Sequence, residues 1–274
     1  IAHLANLKNA SCFVIAPATA NTIAKCAHGI ADNSLTAAFL AYQGPKLIVP
    51  AMHTEMWENP ITQANVATLK SYGVEFLGPV SGPLACGDVG AGRMIDTALI
   101  LAKIQLMQLT QLDLSNKTIL ITSGGTQEPI DSIRTITNAS TGKLGNALAT
   151  TAALAGAQVT LLSTTPHESA LVTSIHTPTV QSMEKALEQS VGDSDALIMA
   201  AAVSDFTPSS PASQKLKRDG DLTLQLTPTK DLLANVPRTE NQLVVGFCLE
   251  SESNLTTSAQ EKLTRKNCDY IIAN

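Results

Sequence analysis

A chain of 274 residues with a formal net charge of -5 and no run of lysine or arginine has no basic footprint with which to hold nucleic acid or an anionic membrane. No apolar stretch approaches the roughly 20 residues of a membrane span, and the length suffices for two domains with real cores. Five widely spaced cysteines, Cys12, Cys26, Cys86, Cys248 and Cys268, form no Cys-x-x-Cys pair, which argues against a zinc or disulfide framework and fits a reducing, cytoplasmic setting.

Short apolar runs alternate with longer amphipathic stretches, the pattern of strand-helix-strand units around a parallel sheet. Strands are expected at residues 12–18, 46–52 and 74–79, with helices over 19–30 and 61–71. The second helix opens at Asn59-Pro60, an N-cap followed by proline in the first turn. An Ala/Leu/Ile/Gln helix over 97–112 leads to a polar linker at 113–117, so a domain boundary is expected there, giving domains of 1–112 and 113–274. Further strands are expected at 118–122, 158–163, 196–203, 222–226, 243–247 and 270–273, and helices at 143–155 and 254–266. The fold class expected is α/β, two doubly wound Rossmann-like parallel-sheet domains. With Ile1 at one end and a buried-looking strand at the other, both termini read as cut.

The run Ile119-Leu120-Ile121-Thr122-Ser123-Gly124-Gly125 ends a strand in small residues, where an open parallel sheet presents its ligand crevice. A second small-residue turn, Asn138 to Gly145, leads into a helix whose first N–H groups favour an anion. Neither piece matches a dinucleotide or P-loop fingerprint, and two structural turns is the plain alternative. Downstream, Ala200 to Val203 leave space for a ring or phosphate, and Asp205 supplies a carboxylate. Lys215-Leu216-Lys217-Arg218 adds local positive charge; a solvated cluster is its plain reading. Lys262 and Lys266, four apart, share one helical face, where like charges repel unless an anion lies between them.

The strings ITSGGTQEPIDSIRTITNASTGKLG, MAAAVSDF, KLKR, GFCLES and EKLTRKNCDYIIAN, in that order, resemble the phosphopantothenate-cysteine ligase family over about residues 113–274. That resemblance implies activation of 4'-phosphopantothenate by CTP as an acyl-cytidylate, followed by displacement of CMP by the cysteine amine. It implies that Asn138 stabilises the acyl-cytidylate, that Arg134 balances substrate charge, and that Lys215 serves the activation step. It also implies CTP contacts at Ala201, Asp205, Lys215, Lys230, Asp231, Leu232, Phe247, Lys262 and Lys266, with Mg2+ riding on the triphosphate.

The strings VIAPATANTIAKCAHGIAD, VPAMHTEMWENP and GPLACGDVGAGRM resemble the flavin-dependent phosphopantothenoylcysteine decarboxylase family up to about Met94. The resemblance implies FMN as cofactor, met by Ala18, Thr19, Ala20 and Asn21, with oxidation of the cysteine moiety to a thioaldehyde easing loss of the carboxylate. Cys86 matches the family's proton donor, His3 its active-site histidine, and His53 replaces an asparagine that holds substrate. The family's Gly-rich first strand-turn-helix has no counterpart in this sequence. Oligomers are implied too: ligase dimers and decarboxylase trimers. A non-catalytic phosphatase-inhibiting subunit and a generic nucleotide-dependent oxidoreductase are the competing classes; the retained Cys86 and the ligase-like half weigh against the first, and fold alone does not decide the second.

Overall fold

The computed structural model describes residues 6–109, 112–250 and 254–273. The chain divides into two compact units, Ile1–Leu112 and Asp113–Asn274.

In the first unit the apolar run Phe13–Ala18 forms β1, followed by α1 (Ala20–Ala27) and α2 (Ser34–Ala41), then β2 (Lys46–Pro50). Thr19 and Asn33 start the two helices: each side chain accepts the backbone N–H three residues on, at 3.3 Å and 3.0 Å. A short α3 (Thr54–Glu58) and α4 (Pro60–Ser71) precede β3 (Val74–Phe76). A hairpin, β4 (Val80–Pro83) and β5 (Val89–Arg93), leads to α5 (Thr97–Leu109). The sheet is parallel in the order β1-β2-β3. That order never reverses among the described residues, so the doubly wound arrangement expected here is not what they form: they make a singly wound α/β sheet with an appended hairpin. Its core gathers Ile15, Ile23, Phe39, Ile48, Val66, Leu69 and Val74, and residues as fully covered as Leu47 and Ile48 contribute about 1.5–3 kcal/mol each.

The second unit runs β6 (Thr118–Ser123), a hairpin of β7 (Gln127–Pro129) and β8 (Thr135–Thr137), α6 (Lys143–Leu154), β9 (Gln158–Ser163), β10 (Thr173–His176) and α7 (Val180–Ser190). It continues through β11 (Ala196–Met199), β12 (Phe206–Pro208), β13 (Leu226–Pro228), α8 (Leu232–Asn235), β14 (Leu243–Cys248), α9 (Leu255–Arg265) and β15 (Tyr270–Ala273). The main sheet has the order β10-β9-β6-β11-β14-β15, every pair parallel. The chain winds outward from β6 to one side and then from β11 to the other, so a topological switch point lies between β6 and β11.

Alternate side chains go to opposite faces of a strand, and here the two faces carry separate cores. Ile119, Ile121 and Leu161 pack with Ala149 and Ala152 of α6. Leu120, Leu162, Leu197 and Val244 pack with Met183 and Leu187 of α7 and with Leu232 and Leu233 of α8. The strand expected at 222–226 forms only from Leu226 onward, pairing antiparallel with β12 as Phe206 against Pro228. The 17-residue connection from Ser209 to Gln225 holds Lys215 and has no strand or helix.

Candidate functional site

The C-terminal edge of the main sheet in the second unit is levelled by register: Thr122, Met199, Gly246 and Ile271 lie side by side across β6, β11, β14 and β15. The residues just beyond, Ser123 to Gly125, Ala200 to Val203, and Phe247, therefore share one rim. At the switch point the rim stays zipped, because Gly125 bridges Ala202 and Ala202 N–H donates to Gly124 O at 2.8 Å.

Asn138 lies over this seam. Its amide donates to the carbonyls of Ala202 and Val203, at 3.3 Å and 3.2 Å, and the side chain remains exposed. The buried Ser123 hydroxyl contacts Gly142 O at 2.9 Å and Asn146 Oδ1 at 2.8 Å, tying the start of α6 to the end of β6. That approach needs Gly145, since a Cβ there would stand 2.6 Å from Ser123 Cβ. The α6 N-cap is Gly142, in the left-handed region at φ 72°, with no side-chain cap. The first N–H groups of a 12-residue helix thus face the rim without a protein oxygen from the cap. Beside Gly124 stands Thr164, which is 2% exposed and whose Oγ1 has no partner among the described residues. Sequence reasoning missed Thr164; its only signal was a small polar residue directly after β9, whose end pairs Ser163 with Ser123.

Arg134 is not a free anion receptor. Its Nε and Nη2 donate to Asp131 Oδ2 at 2.9 Å and 2.5 Å, and Nη2 also donates to Leu216 O at 2.9 Å. Asp131 accepts in addition the backbone N–H groups of Ile133, Arg134 and Leu216. The Arg134 guanidinium, helped by these N–H groups, holds the Asp131 carboxyl well below the usual carboxylate range. The pair fastens the chain next to Lys215, whose own side chain is exposed.

Lys262 on α9 and Lys266 at its C-cap find acceptors inside the protein, so no bound anion is needed to relieve their repulsion. Lys262 donates to Phe247 O at 2.7 Å, and Lys266 pairs with Asp231 at 3.1 Å. Asp231 also caps α8, accepting the Ala234 N–H at 3.2 Å, and Leu232 is buried beneath it. Lys230 turns to Glu184, which raises the lysine's pKa. Ala201 is half-buried on the rim, and the exposed Asp205 carboxylate has no partner among the described residues.

In the first unit, Ala18 is fully buried at the end of β1, and Thr19 to Asn21 form the turn into α1. Thr19 and Asn21 are exposed, and the Asn21 amide has no partner among the described residues. The second cluster surrounds Cys86, exposed in the β4–β5 turn. Its thiol donates to Asp88 Oδ2 at 3.4 Å, and His53 Nε2 lies 2.9 Å from the same oxygen. His53 is the N-cap of α3, accepting Glu55 N–H through Nδ1 at 3.4 Å. The histidine thus occupies the N-cap position with only a long contact to the helix, and its stronger bond reaches the hairpin. The hairpin is drawn close by Met52 N–H donating to Gly92 O at 3.0 Å. Only glycine permits this, because a Cβ on Gly92 would stand 2.1 Å from Met52 O. Asp88 was not singled out from sequence, although it follows Cys86 by two residues. His3 lies outside the described residues. Among the described residues no helix is long and apolar enough to cross a membrane.

Residues 114–274 match the DNA/pantothenate metabolism flavoprotein C-terminal domain family, and residues 1–108 match the Flavoprotein family. The chain is 40% identical over 272 residues to a cysteine/cysteine sulfinic acid decarboxylase from an unknown prokaryotic organism, covering 96% of this chain and 76% of that protein. It is 39% identical over 295 residues to the coenzyme A biosynthesis bifunctional protein CoaBC of Mycobacterium bovis, covering 100% of this chain and 70% of that protein. Among solved structures, the C-terminal domain of a coenzyme A biosynthesis bifunctional protein CoaBC superposes with a TM-score of 0.53 at 33% identity, covering 60% of this chain and 80% of that one. With a Flavoprotein domain followed by a DNA/pantothenate metabolism flavoprotein C-terminal domain, the chain belongs to the CoaBC-like family.

Proposed function

We propose that this chain acts in coenzyme A biosynthesis at two sites: residues 113–274 ligate cysteine to 4'-phosphopantothenate with CTP, and residues 1–112 decarboxylate the resulting 4'-phosphopantothenoylcysteine with FMN. The observation that carries the reading is Asn138 lying across the switch point, beside an uncapped α6 N-terminus and the partnerless Thr164 hydroxyl. Backbone N–H groups at such a point suit a phosphate, and an amide there suits a charged acyl phosphate ester.

In the ligase step the pantothenate carboxylate attacks the α-phosphorus of CTP and pyrophosphate leaves; the cysteine amine then attacks the acyl carbon and CMP leaves. Activation of this kind is chiefly positioning and charge neutralisation. Asn138 orients the acyl-cytidylate, and Lys215, on the segment fastened by Arg134 and Asp131, offsets charge as pyrophosphate departs. Ala201, Asp205, Phe247 and the Lys230-Asp231-Leu232 turn hold the nucleotide, with Lys262 and Lys266 already aligned by Phe247 O and Asp231. The partnerless Asp205 carboxylate fits a Mg2+ ion that arrives on the triphosphate with few protein ligands.

The first unit has a donor set that fits FMN: the α1 N-terminus, the Thr19 hydroxyl and the free Asn21 amide at the end of a parallel strand. Bound there, FMN supplies oxidation of the cysteine moiety and its later reversal. Cys86 holds a proton on Sγ and delivers it to the decarboxylated product, and His53 orients the substrate beside it.

A second substrate reading, free cysteine, is favoured by the 40% identical relative named as a cysteine/cysteine sulfinic acid decarboxylase. The test is pyrophosphate release from 4'-phosphopantothenate, CTP and Mg2+, with and without cysteine, in the wild type and in Asn138→Ala and Lys215→Ala. CTP-dependent release that falls in both variants supports the ligase; no release from folded protein refutes it. Release of carbon dioxide from phosphopantothenoylcysteine, compared with that from free cysteine and repeated in Cys86→Ser, decides between the two decarboxylase substrates.

A further inference from the structure

We propose that His53, Cys86 and Asp88 form a binding site for a soft divalent cation of the zinc type, whose occupancy blocks the Cys86 thiol. The three side chains offer imidazole nitrogen, sulfur and carboxylate oxygen, with the ligand atoms all within 4.8 Å of one another. Such a mixed set suits zinc or cobalt far better than magnesium or calcium, which favour oxygen.

The spacing is close to what coordination requires. Zinc bonds of about 2.0 Å to nitrogen and oxygen and about 2.3 Å to sulfur, at tetrahedral angles, put ligands about 3.3 Å (N···O) and about 3.5 Å (S···O) apart. Here His53 Nε2 is 2.9 Å and Cys86 Sγ is 3.4 Å from Asp88 Oδ2. Opening the first distance by a few tenths of an ångström and bringing His53 Nε2 and Cys86 Sγ, which lie within 4.8 Å of each other, to about 3.5 Å admits the ion.

The ligands also come from elements already fixed to one another. His53 stands at the start of α3, and the hairpin is fastened beside it by the Met52–Gly92 hydrogen bond. Within the turn, Leu84 N–H donates to Asp88 O at 2.8 Å and Gly87 N–H to Leu84 O at 3.0 Å. Binding therefore orders little that is not ordered already. Asp88 Oδ2 already faces both of the other donor atoms, His53 Nε2 and Cys86 Sγ.

Coordination makes a metal–sulfur bond in place of the S–H bond, and the thiol proton passes to solvent. At His53 the ion takes Nε2, so the ring proton moves to Nδ1. What is lost there is the Glu55 N–H contact at 3.4 Å, already beyond the usual hydrogen-bond range. Cys86 and Asp88 are exposed, so the fourth position opens to water or to a substrate thiolate. A thiolate held by a cation has no proton to give. The consequence for turnover, reversible inhibition of decarboxylation, rests on the function proposed above; the binding itself does not.

The test is titration of the reduced full chain with Co2+, read as difference spectra so that any flavin absorbance cancels. A thiolate-to-cobalt charge-transfer band and the visible bands of tetrahedral cobalt are expected, saturating at a single equivalent and displaced by Zn2+. Cys86→Ser should abolish the charge-transfer band, His53→Asn and Asp88→Asn should each weaken binding by roughly tenfold or more, and Cys12→Ser should change nothing. The proposal is overturned by an absent band in the wild type, by a band that persists in Cys86→Ser, or by wild-type affinity in both His53→Asn and Asp88→Asn. Zn2+ added to the decarboxylation assay, then removed with a chelator, separates the two questions. A cobalt spectrum without any decarboxylation sinks the proposed activity and leaves the cation site standing.

Discussion

Arg134 and Asp131 form a clamp whose hold extends beyond the pair: the Asp131 oxygen that receives the guanidinium also receives the backbone N–H of Leu216, and the guanidinium reaches back to the Leu216 carbonyl. A carboxylate with no exposed side-chain surface thus anchors the irregular segment that presents Lys215. Asp131→Asn keeps the shape but removes the charge, and should lower thermal stability at neutral pH. Because the folded-state pKa is depressed below an unfolded value of about 3.9, the carboxylate's contribution is fully present above that value and is lost as pH falls through the folded pKa. The difference in Tm between wild type and Asp131→Asn should therefore be largest near neutrality and shrink below about pH 4. A difference that stays constant down to strong acid would mean the charge contributes nothing.

The cysteines should divide by environment. Cys26 is 8% exposed, and burial pushes its thiol up to about 11, leaving little thiolate at pH 8. Cys86 stands exposed in its turn. A brief iodoacetamide treatment of native protein, followed by peptide mass spectrometry, should label Cys86 and leave Cys26 and the buried Cys248 unmodified until denaturant is added. Equal labelling of Cys26 and Cys86 would contradict the packing of α1 described here.

Leu197 is fully buried in the centre of the main sheet, on the face covered by α7 and α8. Leu197→Ala should cost about 2–5 kcal/mol, the transfer term plus the cavity it leaves. Urea unfolding should resolve this as a lower midpoint for the transition of the second unit.

Much of this architecture is legible in the residues themselves. The run Ile119 to Thr122, ending in Ser123-Gly124-Gly125, specifies a buried strand and a close-approach turn, and β6 ends there. What sequence could not supply was partners distant along the chain. Leu222, Leu224 and Leu226 alternate like a half-buried strand, yet all three are exposed. A strand forms only opposite an available edge, and the three residues of β12 pair no further back than Leu226. The Lys262 and Lys266 spacing suggested an anion between them, but a carbonyl at Phe247 and a carboxylate at Asp231 meet them first. The same holds for His53: sequence offered it as a substrate contact, while its bond to Asp88 depends on how β5 lies against residues 52–54.

Gly145 offers a test in which two effects of opposite sign compete. Gly145 is the third residue of α6, where replacing glycine by alanine gains at most the roughly 1 kcal/mol of helix propensity seen in a helix interior. At this position the new methyl would meet Ser123 Cβ at 2.6 Å, Ser123 Oγ at 2.7 Å and Thr122 O at 2.9 Å, none of them the end of a flexible side chain. Overpacking of that kind costs about 1–3 kcal/mol, and relief requires α6 to move away from β6, which breaks the Ser123 bonds to Gly142 and Asn146. Steric cost wins, so Gly145→Ala should destabilise the protein. CTP-dependent pyrophosphate release should fall further than stability alone explains, because the α6 N-terminus withdraws from the rim where Asn138 lies. Asn146→Ala, which removes one Ser123 partner without forcing the helix outward, should retain most of that activity. If Gly145→Ala instead raises Tm and leaves release intact, the close approach of α6 to β6 is not what organises the site.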